Sequence, residues 1–507
     1  MKSKIFNYRP IFLAFISFIL GILVIHYAYS AWPIALALYM LFASLVIFYC
    51  IKHKRFAYLL LSFPFMIIGA LGFFLEVKPF TKLKEYSAIS VIQGEVINLK
   101  GGYYATITLD NVKINGEDID GKVLVSYQGS VALTSDIVGC SIIFDSATIE
   151  KKEVTLGDEN SYYNVYNKMK YFVKTYEIDS IKEIESPKHW LKDKIRTSLY
   201  QGLSNENAEF MFSAIFGDKA LLSDDLYDTY RSSGVVHILA VSGLHVGLIV
   251  TCLAFLLDRT KCNKYVKLII TSLILLFYCY LCSWAVPVIR ASIMTIVMLF
   301  STISYRQYDS LSSISLAGII ILIFSPATIF SISFLTSFIS VLGIMMLYTP
   351  TRNLLQKFKL NKKFSKAVAT SFAVNFSIIS IMAYFFNEVN FTGLIANIFI
   401  LPVFSIIFCC VFVLAILSVF MPAVAYLLNF INPIIDIINL LASYFASSAF
   451  IKDSLTFSLF TSLAFVFAVF FASKFNVLKS HRKIIYLSAI LVLLLGIMLI
   501  DRYVYLL

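Results

Sequence analysis

The sequence predicts a polytopic α-helical membrane protein with a small β-barrel inserted near its N-terminus, and three observations predict it. The chain of 507 residues is 59% hydrophobic and 14% charged, with a mean hydropathy of +0.82. A soluble protein carries roughly a quarter charged residues, so this composition leaves too little polar surface to solvate one. Apolar stretches of about 18 residues or more, long enough to cross a bilayer, recur along most of the chain. Between the third and fourth of them lies a polar interval with the β-branched bias of strands.

The elements follow in order. The first apolar segment covers 11–29, the second 32–51 and the third 56–77. Lys2, Lys4 and Arg9 before the first, with Ala28-Tyr29-Ser30 after it, imitate a signal peptide. The apolar pattern resumes at once, so an uncleaved hairpin with the second segment is the expectation. Lys52, Lys54 and Arg55 place the N-terminus and the second turn inside, which sends residues 78–234 out of the cytoplasm.

In that outer region 89–99, 103–109, 121–127 and 137–149 read as strands separated by Gly, Asn and Asp turns. Short strands at this spacing suit a closed barrel such as the OB-fold, over 78–160. The stretch 161–234 reads as a polar helical connector. Further apolar segments follow at about 235–257, 265–283, 287–304, 311–325, 329–348, 367–386, 393–419, 423–449, 455–473 and 484–500. The total is about 13 spans, with Pro402, Pro422 and Pro433 as sites for broken or re-entrant helices. Four domains result: N-terminal helices 1–77, barrel 78–160, connector 161–234 and membrane domain 235–507.

Charge placement supports this order. The net charge is +12, yet residues 78–194 hold 15 Lys against 17 acids. The positive excess therefore belongs to the membrane part. The basic loops around Arg259, Arg306, 352–366 and 474–483 all fall on the inner side when the spans alternate from an outer residue 234. Of eight Cys only Cys140 lies in the polar region, which excludes a disulfide within it.

Some motifs fail on inspection. Gly116-Glu-Asp-Ile-Asp-Gly121-Lys122 has Val123 where a P-loop needs a hydroxyl, and a strand follows instead of a helix, so it reads as a hairpin turn. Cys279 and Cys282 stand at helical spacing in an apolar segment, as packing residues do. No metal-ligand set or nucleotide site is recognisable, and no cofactor is expected. The informative stretch is Phe212-Ser-Ala-Ile-Phe-Gly-Asp-Lys followed by Tyr230-Arg-Ser-Ser-Gly-Val-Val-His-Ile-Leu-Ala-Val-Ser-Gly-Leu-His-Val-Gly247. Ionisable groups at membrane depth face a protein interior or a wet cavity. Ser242 and His245, three apart, would share a helical face. Gly243 and Gly247 would admit a close backbone. Pore lining or a gate hinge is the favoured reading of this face, and a Ser/His hydrolytic pair or a solute transporter is the alternative.

Residues 237–246 resemble the ComEC family signature, His-Leu-Leu-Ala-Ile-Ser-Gly-Leu-His-Val, with aliphatic swaps only. Gly217-Asp218, Val286-Pro-Val-Ile-Arg290-Ala-Ser-Ile-Met, Ser325-Pro326 with Ser333-Phe-Leu-Thr-Ser-Phe338, and Thr392-Gly-Leu-Ile-Ala-Asn397 through Pro402 resemble further family elements in the same order. The usual Gln of the Ser333 element is absent. The barrel followed by Tyr163-Asn-Val-Tyr166 also resembles the family's OB-like domain and its trailing motif. The resemblance implies a channel in the bacterial cytoplasmic membrane that carries single-stranded DNA inward during natural transformation. Many relatives add a C-terminal metallo-β-lactamase-like domain, and its ligand set is not found here. A separate nuclease is therefore expected, with a DNA receptor outside and an ATPase or DNA-processing protein inside.

For a polyanion pore the candidate lining and gate residues are His237, Ser242, Gly243, His245, Gly247, Arg290, Asn397 and Pro402, with Arg290 foremost for its charge. Asp436 is a further ionisable group in an apolar run. In the barrel, Tyr103, Tyr104 and Tyr127 with Lys100, Lys113 and Lys122 are candidates for base stacking and phosphate contact. The net −2 of residues 78–194 argues against a strong electrostatic footprint there.

Overall fold

The computed structural model describes residues 9–30, 57–86, 90–100, 102–133, 137–154, 161–183, 187–219, 222–260, 262–386, 389–447 and 452–453. Helices α1 (Pro10–Ser30) and α2 (Ala57–Val77) open the chain. They cross where both lack side chains. A Cβ on Gly21 would sit 2.0 Å from the Met66 carbonyl oxygen, and one on Gly69 would sit 2.3 Å from that of Phe18. Between apolar helices in lipid, such backbone approach supplies the packing that a hydrophobic driving force cannot.

Polar contacts fix the direction of these helices against α10 (Ser310–Phe324). At one end Arg9 forks onto Asp309, with Nε donating to Oδ2 at 3.0 Å and Nη2 to Oδ1 at 2.8 Å. Asp309 is also the N-cap of α10, accepting from the Ser312 amide at 3.0 Å. At the other end Glu76 of α2 accepts from Ser325 Oγ and from the Ala327 amide, each at 2.6 Å. So α1, α2 and α10 run parallel. A single return between α1 and α2 is what the sequence pattern requires, and the expected segment 32–51 lies outside the described residues.

The polar interval forms strands β1 (Ser90–Lys100), β2 (Gly102–Ile114), β3 (Glu117–Ile119), β4 (Lys122–Leu133), β5 (Cys140–Lys151), β6 (Met169–Thr175) and β7 (Ser180–Glu183). Five of them close a ring in the order β1-β2-β4-β6-β5 and back to β1, with β4 and β6 parallel and every other neighbour antiparallel. Ile107 pairs with Val125 and Val125 with Val173, and alternate residues fill the interior with Ile92, Val96, Ile107, Leu109, Val125 and Phe144. The barrel therefore ends later than the sequence pattern sets it, because β6 closes the ring beyond residue 160. Three Lys in and beside that strand mask its alternation, but Tyr171 and Val173 point inward. Gly116 turns the β2–β3 hairpin with φ +83°, as the failed P-loop reading requires.

The short helix α3 (Tyr162–Tyr166) ties the barrel to the membrane helices. Tyr162 is fully buried, its hydroxyl 2.9 Å from His26 Nδ1 of α1, among the rings of Phe73 and Phe330. The aromatic motif expected after the barrel thus lies between β5 and β6, within its chain, and Tyr162 just before it is the docking residue. Helices α4 (Pro187–Gly202), α5 (Asn205–Phe216) and α6 (Asp224–Ser232) follow. The outer parts of this connector are polar, but α5 is sunk in the core, with Phe210, Met211 and Ala214 fully buried. Gly217 ends α5 at φ +73°, and Asp218 beside it pairs with Lys192 of α4 at 3.6 Å.

The bundle continues through α7 (Gly243–Arg259), α8 (Lys264–Leu281), α9 (Val286–Ile303), α10, α11 (Ile332–Lys357), α12 (Lys362–Phe386), α13 (Thr392–Phe420) and α14 (Asn432–Ser447). Among the described residues, seven helices are long and apolar enough to cross a membrane, or eight if Pro422–Phe430 and α14, bent by 49°, form one span. This is a multi-pass membrane protein. Two local expectations are corrected. The segment expected from 235 starts its α-helix only at Gly243, because residues 234–242 form turns. Pro402 does not break its helix, since α13 runs unbroken from Thr392 to Phe420; the break falls at Pro422 and Pro433. The expected segments 455–473 and 484–500 lie outside the described residues.

The Arg9–Asp309 fork yields a pH-dependent prediction. Partial burial acts to raise the Asp309 carboxyl, but hydrogen bonds from Ser312 and Arg9 outweigh it and hold the carboxyl below its usual range. A depressed carboxyl stabilises fully above its unfolded value of about 3.9 and loses that effect as pH falls through the folded value. Asp309→Ala should lower stability at neutral pH by about 1 kcal/mol for the cap alone. The gap in melting temperature between it and the wild type, measured in detergent, should close below about pH 4.

Candidate functional site

The chain enters the core of the bundle as a polar turn. A 3-10 turn at Val236–Ile238 leads to Ser242, which is extended and caps α7. The Ser242 hydroxyl accepts from the Leu244 amide at 3.2 Å, and its own amide donates to His245 Nδ1 at 3.0 Å. The two residues thus form a reciprocal capping box. This corrects the shared helical face expected for them, because Ser242 precedes the helix. The Ser242 Oγ···His245 Nδ1 distance of 3.0 Å belongs to the same cap. His245 is fully buried between Phe404 and Phe408 of α13, with ring centroids at 5.6 and 4.8 Å. Its Nε2 has no hydrogen-bond partner among the described residues, so no acid there orients the imidazole as a general base.

The start of α7 lies against a cation. Arg290 of α9 is 6% exposed, and a Cβ on Gly243 would stand 2.6 Å from its Nη2. Nη1 donates to the Ser337 carbonyl of α11. Arg290 Nε is buried without a partner, and no ion pair to Arg290 occurs among the described residues. Proline at the second helical position starts α9 one turn before the arginine. Snorkelling to an interface is excluded by this burial, since a snorkelling Arg keeps its head in water.

Backbone contacts hold the turn. Gly234, at φ +76°, has its Cβ position 2.7 Å from the Cα of Gly393, so two of the sequence motifs meet backbone to backbone. Asn390 Nδ2 donates to the Ser232 carbonyl at 2.5 Å, and its Oδ1 accepts from the Thr392 amide at 2.9 Å. Ser213 Oγ donates to the Leu239 carbonyl at 3.1 Å. Beside them Asn207 donates to Asp436 at 2.6 Å and to Asn432 at 2.7 Å, and it accepts from Asn439, which also accepts from Tyr230. Asp436 is thereby joined to a polar network between α5, α6 and α14. A single Asp in an apolar run was legible in the sequence; its partners, over 200 residues away, were not.

Of the expected channel residues, Ser242, Gly243, His245 and Arg290 come together. Gly247 lies one turn further along α7, exposed, with open space at its Cβ position, and His237 is exposed on the turn. Asn397 is buried on α13 with Oδ1 unpartnered among the described residues, and Pro402 faces outward on the same helix. The barrel set fares differently. Tyr127 is corrected: it is 2% exposed in the barrel core and presents no face for stacking. Lys113 pairs with Asp118 at 3.5 Å, and Lys122 is half-buried. The side chains of Lys100, Tyr103 and Tyr104 lie outside those described. Glu76 and Asn207 were missed, because a carboxylate at a helix end and an asparagine carry no spacing signal of their own; Ser337 stands in the Ser333–Phe338 element but was not singled out as a site residue.

A multi-pass membrane protein with a cation buried at a broken helical entry is the class these features define. The model of the competence protein family matches residues 214–501, more than half of the chain, and the chain belongs to that family, as its resemblance to ComEC sequences implies. It is 24% identical over 249 residues to ComE operon protein 3 of Bacillus subtilis, and 27% identical over 219 residues to Recombination protein 2 of Haemophilus influenzae. These matches cover 48% and 40% of this chain but only 31% and 27% of the relatives. An uncharacterised protein of Aquifex aeolicus is 35% identical over 133 residues, 26% of this chain and 31% of that one. No solved structure matches the chain.

Two predictions test the site's construction. Gly234→Ala forces a Cβ onto Gly393 at positive φ and should destabilise by roughly 1–3 kcal/mol, seen as a lower melting temperature and a lower folded yield. Ser242→Ala removes the cap and should cost about 1 kcal/mol of stability, read as a lower melting temperature in detergent. Complete loss of function at full protein levels would return Ser242 to a chemical role.

Proposed function

We propose that this protein carries single-stranded DNA across the bacterial cytoplasmic membrane during natural transformation, with the N-terminus inside and the barrel outside. The observation that carries this reading is Arg290: a guanidinium buried among apolar helices with no acidic partner among the described residues. An unpaired buried cation is costly unless an anion completes it during function. Family membership supplies the context, and the relatives named for competence and recombination bear on the same process. The basic loops support the orientation. The ring order, with its third and fifth long strands parallel, favours the OB-fold, a frequent single-strand binder. About 13 spans remain the expected total once the three segments outside the described residues and the shorter helices α7 and α10 are counted with the eight.

The partners that this reading calls for are a receptor delivering DNA outside, an ATPase or DNA-processing protein inside, and a separate nuclease for the other strand. In a deletion strain complemented with this gene, labelled double-stranded DNA should enter the cytoplasm. With Arg290→Ala at equal membrane levels, label should accumulate outside and entry should fall by at least about tenfold. Arg290→Lys should retain part of the entry. Normal entry with Arg290→Ala would overturn the assignment of Arg290 to the path, and normal entry in the deletion strain would overturn the channel itself.

A further inference from the structure

We propose that Arg290, the first turn of α7 and Ser337 form a binding site for one tetrahedral oxyanion: a single phosphodiester group of the passing strand, or inorganic phosphate in its absence. The proposal rests on the reading of the bundle as a polyanion path and specifies how the path holds its cargo.

The geometry of the guanidinium carries the argument. Nη1 is committed to the Ser337 carbonyl. Nε and Nη2, which form the side-on edge of the guanidinium, make no hydrogen bond among the described residues. Two parallel N–H donors on that edge match two oxygens of a phosphate or carboxylate. The edge is 6% exposed as part of its residue, so water does not fully satisfy it.

That free edge adjoins the start of a 17-residue helix. Nη2 lies 2.6 Å from the Cβ position of Gly243, the first residue of α7. Helix N-termini carry a partial positive charge and unsatisfied amides, so a guanidinium placed there is repelled by it. An anion reverses the sign of that contact and is attracted by both. The capping box takes the Leu244 and His245 amides, while the Gly243 amide makes no hydrogen bond among the described residues. The hydroxyl of Ser337, on the residue that anchors Nη1, is buried and likewise without a partner. The fork offers donors for two oxygens, and Gly243 and Ser337, the two residues that meet Arg290, each keep one donor unpartnered among the described residues for a third. A tetrahedral group uses all of these donors; a planar carboxylate or a halide does not. None of them reads a base, so the site is indifferent to sequence, as a conduit for arbitrary DNA must be. Glycine at 243 lets the guanidinium lie against the helix start, and a side chain there would push Nη2 away from it.

The test uses the full chain in lipid nanodiscs with labelled inorganic phosphate, against chloride and acetate at equal ionic strength. Wild type should bind phosphate saturably, and phosphate alone should raise its melting temperature. Arg290→Gln and Gly243→Ala should each weaken binding by about tenfold or more. Ser337→Ala should weaken it less, and it guards against misfolding of the other two. Absence of saturable phosphate binding to the wild type overturns the site, as does equal binding by Arg290→Gln. DNA entry by the same variants in cells keeps the two readings apart. Phosphate binding abolished by Arg290→Gln with normal DNA entry would leave the oxyanion site and remove it from the path. Lost entry with no phosphate binding to the wild type would keep the channel and remove the site.

Discussion

A turn of backbone set inside an apolar bundle has to satisfy its own polar groups, and the arrangement around residues 234–242 follows from that constraint. Nonhelical backbone at membrane depth persists only where protein or a wet cavity supplies partners. Here Ser213 takes the Leu239 carbonyl, Asn390 takes that of Ser232, and Ser242 with His245 close the first amides of the helix that follows. Gly234 and Gly393 allow the elements bearing these donors to approach. The signature residues are thus mostly a solution to backbone accounting. What that accounting leaves over is a helix start facing a guanidinium, with no acid paired to it among the described residues.

The same economy places the barrel. Three polar contacts tie the N-terminal helices to the bundle, with Arg9–Asp309 at one end and Glu76–Ser325 and His26–Tyr162 at the other. Each joins groups more than a hundred residues apart in sequence. In an apolar medium such contacts fix the register of helices that could otherwise slide, since lipid and side chain are equally apolar. Because Tyr162 lies in the connection between β5 and β6 and docks where α1 and α2 end, the barrel is held over that end of the helices.

Much of this was legible in the sequence, for physical reasons that also mark the limits. Hydropathy sees the spans because twenty apolar residues have few other uses. The first four long strands were visible through β-branched alternation, whereas β6 was hidden by Lys168, Lys170 and Lys174, whose stems border an outward face while Tyr171 and Val173 point in. Tyr127 was misplaced because a tyrosine in a strand has the same signature on either face; register alone decides, and Tyr127 shares the inward set with Val123 and Val125. Ser242 and His245 invited a reading as a chemical pair because three-residue spacing suits both a helical face and a capping box. Only the helix start at Gly243 separates them. Arg290 was singled out by charge, but its lack of an acid partner among the described residues is a property of the packed bundle.

That lack bears on why the residue is arginine. A buried lysine escapes an unpaired charge by giving up its proton, and an arginine keeps its own at any physiological pH. A site meant to be silent between ligands would favour lysine; a site meant to attract anions at all times favours arginine, and the bundle then bears a standing electrostatic penalty. The penalty is limited by Ser337, whose carbonyl accepts from Nη1 while Nε stays buried and unpartnered among the described residues. Full neutralisation by a carboxylate would stabilise the bundle more and leave nothing to attract a phosphate. A carbonyl, which carries no net charge, takes up one N–H of the guanidinium without cancelling its charge, so under the proposed function the attraction is kept while one donor fewer remains to hold each phosphate. A channel for a polyanion needs that compromise, since a site that bound each phosphate tightly would stop the strand it is meant to pass.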